Sequence, residues 1–466
     1  MDVKLTIRVQ DRTRAVAQRS GSSDVTIGRV HFERDSLEHQ TLMMFKRWME
    51  NDRFSERRDV EVFGRHLYRV LFSDTIGVEL RNALEQAANA TPRTRLRIHL
   101  GFEPEAAELA GLPWEYLYYA ESSTSGQFFC EGADLILSRY LKTGESEVPP
   151  QPVNGRKLRI LVAVASPQGD EQKLPKVVHQ PVVRFLDVLS ASLPIELHVE
   201  TNPTVPNFIK AMEAAKPDVL HFMGHGQFNH KQDQGEVALL DEQGAPDWRS
   251  DYDFVRYCTR ISGAPPPRVV VLHMCEGGKI DLRESFAGLA PNLISAGVQA
   301  VVAMQYTVKN RAAIDFSAAF YEELLQAGRP VDYAVQRGRN ELARQSEARL
   351  FATPVLYVYS TDTISLTGAP AAAAQRPTVT PIEQPPPASD DQRKLAAAYF
   401  RAIRAIKTAA LAEAQQAALI QRLDALRDEL KTTDAGARSG ELQLRLFNES
   451  DATFQAALYA MLEELA

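Results

Sequence analysis

Apolar and polar residues alternate in KLTIRVQ, Lys4 to Gln10, and predict a strand with one buried face. From about Ser36 to Ala90 the period lengthens to that of a helix, and RLRIHLGF and DLILSRYL return to strand patterning. Between those two lies LPWEYLYY, Leu112 to Tyr119, whose simplest reading is an aromatic core anchor. Residues 1 to 150 therefore read as a mixed α+β region.

From about residue 156 to 365 strand and helix patterns take turns. LRILVAVAS, IELHVE, DVLHFM, RVVVLHM, QAVVAM and PVLYVYS predict strands, several of them continuous apolar runs that suit burial on both faces. VVRFLDVLSA, VPNFIKAMEAA, ESFAGLAPNLISAG, AIDFSAAFYEELLQAG and VDYAVQRGRNELAR carry helical spacing, and Gly297 stands where a helix would end on glycine. GEVALLD and DYDFVRYC read as a small strand-and-helix excursion. Repeated β–α–β units predict an α/β fold with a mostly parallel sheet of six strands between helices.

Residues 366–390 change texture: they are rich in proline and alanine, with Pro385, Pro386 and Pro387 adjoining, and predict a semi-extended linker. Residues 391–466 read as all helix. Leu419, Ile420, Leu423, Leu426 and Leu430 form one apolar stripe, and Phe454, Leu458, Met461, Leu462 and Leu465 a second. A small bundle that serves interaction or recruitment is expected.

At 466 residues the chain has room for roughly three domains. A net charge of -7 with no basic block argues against direct binding to nucleic acid by bulk charge. The start, MDVKLTIRVQDRTR, lacks the apolar core of a signal peptide, and no apolar run is long enough to span a membrane. Cys130, Cys258 and Cys275 have no metal-ligand spacing and are too few for a disulfide framework. A cytoplasmic location is the expectation, with no cofactor and no metal.

The chemistry gathers at two strand ends. The third α/β strand runs into Met223-Gly224-His225-Gly226, and the fourth into His273-Met274-Cys275-Glu276-Gly277-Gly278. Ligands and catalytic groups of open α/β sheets collect beyond the carboxyl ends of the strands. His225 and Cys275 then share one edge, as a thiol nucleophile with an imidazole base. The glycines would free the backbone there, and the N–H groups of Gly226 and Cys275 are the candidate oxyanion hole. Glu276 and Asp281 follow the nucleophile and could draw a basic substrate residue, although a solvated loop accounts for them equally well.

LHFMGHG followed by LHMCEGG resembles the His and Cys motifs of caspase-like cysteine peptidases, and most closely the CHAT domain, a branch related to separase. The likeness covers about residues 100–362. It includes GLPWEYLYY with ADLILSRYL, the stretch from Gly297 to Leu342, and the closing PVLYVYS. The resemblance implies that Cys275 is the nucleophile and His225 its base, and that peptide bonds are cleaved through an acyl-enzyme thioester without a metal. One departure follows Cys275, where Glu276-Gly277-Gly278-Lys279 stands in place of a more frequent Thr or Ser. The family also resembles modules of bacterial defence and regulated cell death, in which an attached domain holds the peptidase until triggered.

Plainer roles suit other residues. His221 and His273 lie inside strands and read as structural. Cys130 and Cys258 read as packing residues. His221, His225 and His230 have helical metal spacing, but on a strand and loop and without a HExxH glutamate. The favoured function is a regulated cysteine endopeptidase acting on a protein substrate, with an activating or recruiting protein bound by the C-terminal helices. The alternative is a catalytically silent adaptor that keeps the fold. A third catalytic member is not visible, and the linker would be the exposed place for self-cleavage.

Overall fold

The computed structural model describes residues 2–34, 36–50, 56–120, 126–132, 134–141, 152–168, 174–229, 231–232, 234–274, 282–306, 310–345, 347–366, 402, 406, 413–432, 442, 445 and 451–465. The chain divides into two compact units, Met1–Ala372 and Ala373–Ala466.

The first unit is built on one sheet. Its strands are β1 (Val3–Val9), β2 (Arg14–Arg19), β3 (Val25–Arg29) and β4 (Leu96–Phe102). After the short hairpin of β5 (Tyr118–Ala120) and β6 (Gly126–Phe128) comes β7 (Leu135–Tyr140). The α/β portion supplies β8 (Leu158–Val164), β9 (Ile195–Thr201) and β10 (Val219–Gly224). A side sheet follows, made of β11 (Gly226–Asn229), β12 (Gln234–Leu240) and β13 (Pro246–Ser250). The main sheet then takes β14 (Val269–Met274), β15 (Ala300–Met304) and β16 (Pro354–Val358).

The order across the main sheet is β3-β2-β1-β4-β7-β16-β15-β14-β10-β8-β9. Neighbours from β9 through β15 are parallel, β16 is antiparallel to β15, and β7 and β4 resume parallel pairing. The expected set of six, β8 to β10 and β14 to β16, is present. The sheet does not stop there, because β7 pairs along the outer edge of β16 and brings the N-terminal strands with it, for 11 strands in all. An apolar strand such as PVLYV gains from a covered edge as well as covered faces.

Burial on both faces explains the unbroken apolar runs. On one face Val219, Met223, Val269 and Val271 meet Leu186 of helix Gln180–Ser192, Phe316 and Phe320 of helix Asn310–Tyr321, and Val335 of helix Val331–Ala343. On the other, Leu220, Phe222, Val270 and Leu272 meet Phe208 of helix Val205–Ala215, Phe254 of helix Asp251–Thr259, and Leu293 of helix Leu282–Ser295. Phe208 stacks on Phe254 at 5.6 Å and Phe254 meets Phe222 edge-on at 4.9 Å. Such ring pairs contribute about 0.5–1.5 kcal/mol each beyond their burial. Gly297 ends its helix at φ +99, with Val298 N–H bonded back to Leu293 C=O at 3.1 Å.

The aromatic stretch Leu112 to Tyr119 is a core anchor, and it also carries a charge. Trp114 and Tyr116 are fully buried; their polar tips donate to Leu109 C=O at 2.7 Å and Arg349 C=O at 2.9 Å. Between them Glu115, fully buried, accepts two bonds from Arg139 of β7 at 2.9 and 2.7 Å.

In the second unit Leu419, Leu423, Leu426 and Leu430 of helix Glu413–Thr432 share a core with Phe454, Leu458 and Met461 of helix Ala452–Leu465. These are the two predicted stripes. The side chains of Ile420, Leu462 and Leu465 lie outside the described residues, as does the predicted linker 366–390 apart from Leu366, which is buried in the first unit's core and so belongs to the α/β portion. No helix among the described residues is long and apolar enough to cross a membrane.

Candidate active site at the carboxyl ends of two parallel strands

β10 and β14 are neighbours in parallel register, His221 level with Val271, Met223 with His273, and Gly224 with Met274. Two strands that the chain separates by a whole excursion therefore end at the same height. β10 gives way to β11 through one residue, His225. That residue is 1% exposed, and its C=O accepts the N–H of Ala238 at 3.0 Å. His225 is thus held by main-chain pairing before it, Gly224 with Met274, and after it, Gly226 with Val237.

The flanking glycines answer to space. Neither Gly224 nor Gly226 is among the described residues with positive φ. A Cβ on Gly224 would lie 2.8 Å from Cε1 of Phe222 and 3.3 Å from the C=O of Ala165. A Cβ on Gly226 would lie 3.3 Å from Sδ of Met274. The expected release of backbone freedom is replaced by close approach, a second reason for glycine in a strand.

Cys275, Glu276 and Asp281 lie outside the described residues. β14, which leads into Cys275, is described to Met274 and is buried throughout.

Beneath the edge, on the same face of the sheet as Met223, two imidazoles lie in the core. His221 and His273 stack at 5.7 Å with planes 16° apart. The Tyr321 hydroxyl is 3.0 Å from Nδ1 of His221. Burial drives the His221 imidazole well below its ordinary pKa, with His273 adding to the effect, and burial takes His273 down to about 4. Both are neutral at pH 7, and both match the structural role expected of them.

The other two cysteines are packing residues. Cys130 and Cys258 are buried and free. Burial pushes the Cys130 thiol up to about 12 and the Cys258 thiol well above its ordinary value. A thiol so raised is a poor nucleophile.

At the neighbouring strand end, Gln305 follows β15. Its Nε2 donates to Ala352 C=O at 2.7 Å and to Glu115 at 3.2 Å. The N-terminal aromatic anchor is thereby bonded to a residue at the same end of the sheet as His225. Sequence patterning missed this link, because Glu115, Arg139 and Gln305 are far apart in the chain and each reads alone as a surface residue. The apolar setting of Glu115 in LPWEYLYY was the available signal.

With this geometry in place, comparison identifies the family. The family model for the CHAT domain matches residues 61–428, and the chain belongs to the CHAT domain family, the caspase-like branch that its His and Cys motifs resemble. Among solved structures the chain is similar to a chain of the Saccharomyces cerevisiae separase-securin complex at 2.6 Å resolution. It is 12% identical, with a TM-score of 0.43, over 78% of this chain and 30% of that one. A 3.0 Å structure of the same complex gives 13% identity and a TM-score of 0.44, with the same coverage. This chain thus matches less than a third of the length of those relatives. No curated protein matches the chain.

Proposed function

We propose that the chain is a cysteine endopeptidase in which His225 is the general base and Cys275 the nucleophile. The observation that carries this reading is the register of β10 and β14: Gly224 is level with Met274, and His225 and Cys275 are the residues that follow.

The chemistry needs no group beyond the chain. His225 takes the proton of the Cys275 thiol, and the thiolate attacks the carbonyl carbon of a peptide bond. The oxygen becomes an oxyanion, held by the N–H groups of Gly226 and Cys275. The support for Gly226 is in the side sheet. The bond from Ala238 N–H to His225 C=O makes those two the hydrogen-bonded pair. Gly226 and Val237 are then a non-hydrogen-bonded pair, and Gly226 N–H is directed away from β12. One such donor contributes about a hundredfold or more in rate. The imidazolium then protonates the leaving amine, and water hydrolyses the thioester.

The substrate is a protein, and the enzyme is a regulated one. Residues 391–466 form the module through which an activating or recruiting protein acts. The setting is bacterial defence or cell death, in the cytoplasm.

The test is thiol reactivity of the full chain towards a limiting peptide electrophile, with the adduct located by mass spectrometry. Cys275 should label selectively, with the rate falling in His225→Ala. Labelling of Cys275 that ignores the loss of His225 would remove the imidazole from the mechanism. A Cys275 no more reactive than Cys130 or Cys258, with and without the C-terminal module's partner, would turn the assignment to a silent adaptor.

A further inference from the structure

At the opposite edge of the sheet, where β8, β10 and β14 begin, three arginines surround one carboxylate. Asp218 precedes β10 and is 4% exposed. Its two oxygens accept Nη1 and Nη2 of Arg156, both at 2.6 Å, and Oδ2 also accepts the N–H of Arg159 at 3.0 Å. Its main chain joins three strands: Asp218 N–H donates to Arg159 C=O, and Asp218 C=O accepts from Arg268 and Val269, at 2.8, 2.8 and 3.1 Å. The carboxylate thus accepts three bonds, two from Arg156 and one from a main-chain amide.

Two further guanidiniums nonetheless face it. Nε of Arg159 is 3.8 Å from Asp218 and Nε of Arg268 is 3.7 Å. Both distances are too long for hydrogen bonds. Among the described residues neither side chain donates a hydrogen bond, and Nε of Arg159 is buried without a partner. Their side chains are 24% and 21% exposed, so both can be reached from solvent. Glu196 is level with Arg159 on β9, and its carboxylate meets His198 at 3.0 Å. Burial and the nearby Arg156 hold the Arg268 guanidinium below its ordinary value even with Asp218 opposing them, as expected of a cluster short of negative charge.

A buried guanidinium donor without an acceptor, such as Nε of Arg159, is costly. Arginines in a fork of this kind fit the oxygens of phosphate. We propose that Arg159 and Arg268, with Arg156 beside them, form a binding site for a phosphate group, either free phosphate or a small phosphate ester, on the sheet edge remote from His225. The proposal is independent of the peptidase reading.

The experiment is calorimetric titration of the full chain with inorganic phosphate and, in a parallel arm, glycerol 3-phosphate, at constant ionic strength set with sodium chloride. Saturable binding is expected, weakened about a hundredfold or more in Arg159→Gln/Arg268→Gln, since two charge-assisted bonds are lost and each is worth about tenfold. Asp218→Asn, which keeps an acceptor for Arg156 but removes the competing charge, should bind more tightly. The tighter of the two probes identifies the form of phosphate the site takes. Absence of saturable binding in the wild type, or equal binding by the double variant, overturns the site. If the double variant does not fold, Asp218→Asn decides: unchanged or weaker binding overturns it too.

Discussion

Glu115→Gln should destabilise the first unit by about 3–5 kcal/mol, the range for breaking a buried ion pair by removing one partner. The structure places this substitution at the costly end. Glu115 is fully buried and Arg139 is 5% exposed, so water cannot replace either partner. Arg339 is also fully buried, and among the described residues its guanidinium donates only to carbonyls: Pro354 at 3.0 and 2.8 Å and Leu137 at 2.9 Å. Glu115 is therefore the negative charge that two buried guanidiniums share. Burial alone would raise its carboxyl, but the charge and hydrogen bonds of Arg139, with Arg339 behind, hold it below the ordinary value. A glutamine keeps the shape and loses the charge. Against a typical total of about 5–15 kcal/mol for a domain, the loss is large. Replacing Glu115 and Arg139 together by methionine should cost less than the sum of the single changes, because Arg139 is then not left facing an uncharged partner, although Arg339 still loses its share of the charge. The assay is urea unfolding followed by tryptophan fluorescence. Trp48, Trp114 and Trp248 all lie in the first unit, so the signal reports that unit. A Glu115→Gln loss below about 1 kcal/mol would refute the buried-pair account, since that is the worth of an exposed pair.

Other outcomes follow from the same core. His221 and His273 are neutral in the fold, and an unfolded histidine titrates near 6.5, so the unfolded state binds more protons below that pH. Stability should fall between pH 6.5 and about 4, by roughly 3 kcal/mol for His273 alone at 1.36 kcal/mol per unit, and His273→Phe should flatten the slope in urea midpoints measured against pH. Glu115 adds a loss at lower pH: its contribution is intact above its unfolded value of about 4.5 and disappears as pH falls through the depressed folded value. Gly64→Ala should cost about 1–3 kcal/mol or more, because a Cβ there meets the C=O of Tyr116 and lies 2.7 Å from Cβ of Tyr118; equal melting temperatures would count against it. Cys130 and Cys258 should resist a thiol reagent in the native chain and react once it is unfolded, as counted by released chromophore.

Much of this architecture is legible in the sequence. Continuous apolar runs such as LRILVAVAS and RVVVLHM can be satisfied only between two layers of helix, and they mark β8 and β14. The 3.6-residue stripes at Leu419 to Leu430 and Phe454 to Met461 likewise mark one core. β2, β3, β11 and β13 were not legible. RAVAQR, VTIGR, GQFN and PDWRS are short and polar on their open sides, so alternation barely rises above noise. Their strand character comes from neighbours distant in sequence. The pairing of β7 with β16 is of the same kind: each strand is legible alone, and nothing local says that they meet. His225 stands out in the sequence as a histidine between two glycines after an apolar run, and the structure places it at the join of β10 and β11. The Tyr321 partner of His221 was not, since the two are 100 residues apart.

The join at His225 also explains why a histidine can be placed so firmly without a helix or long loop to hold it. β10 belongs to the main sheet and β11 to the side sheet, and one residue separates them. A single-residue connection has two soft dihedrals, and here both neighbours are fixed by pairing to different sheets. The side sheet is in turn fixed to the main core, since Val237 and Leu239 of β12 pack with Phe222 and Met274. The Cα–Cβ direction of His225 is therefore set by two sheets that cannot shift independently. The same geometry dictates the glycines: with the chain turning this tightly beside Phe222 and Met274, a methyl at 224 or 226 would contact one or the other. Gly224→Ala should then misplace His225 through the Phe222 ring and slow Cys275 labelling well beyond its effect on the melting temperature. Gly226→Ala, where the flexible Met274 side chain can yield, should be the milder of the two. Equal effects from the two changes would mean that the crowding does not act through the placement of His225.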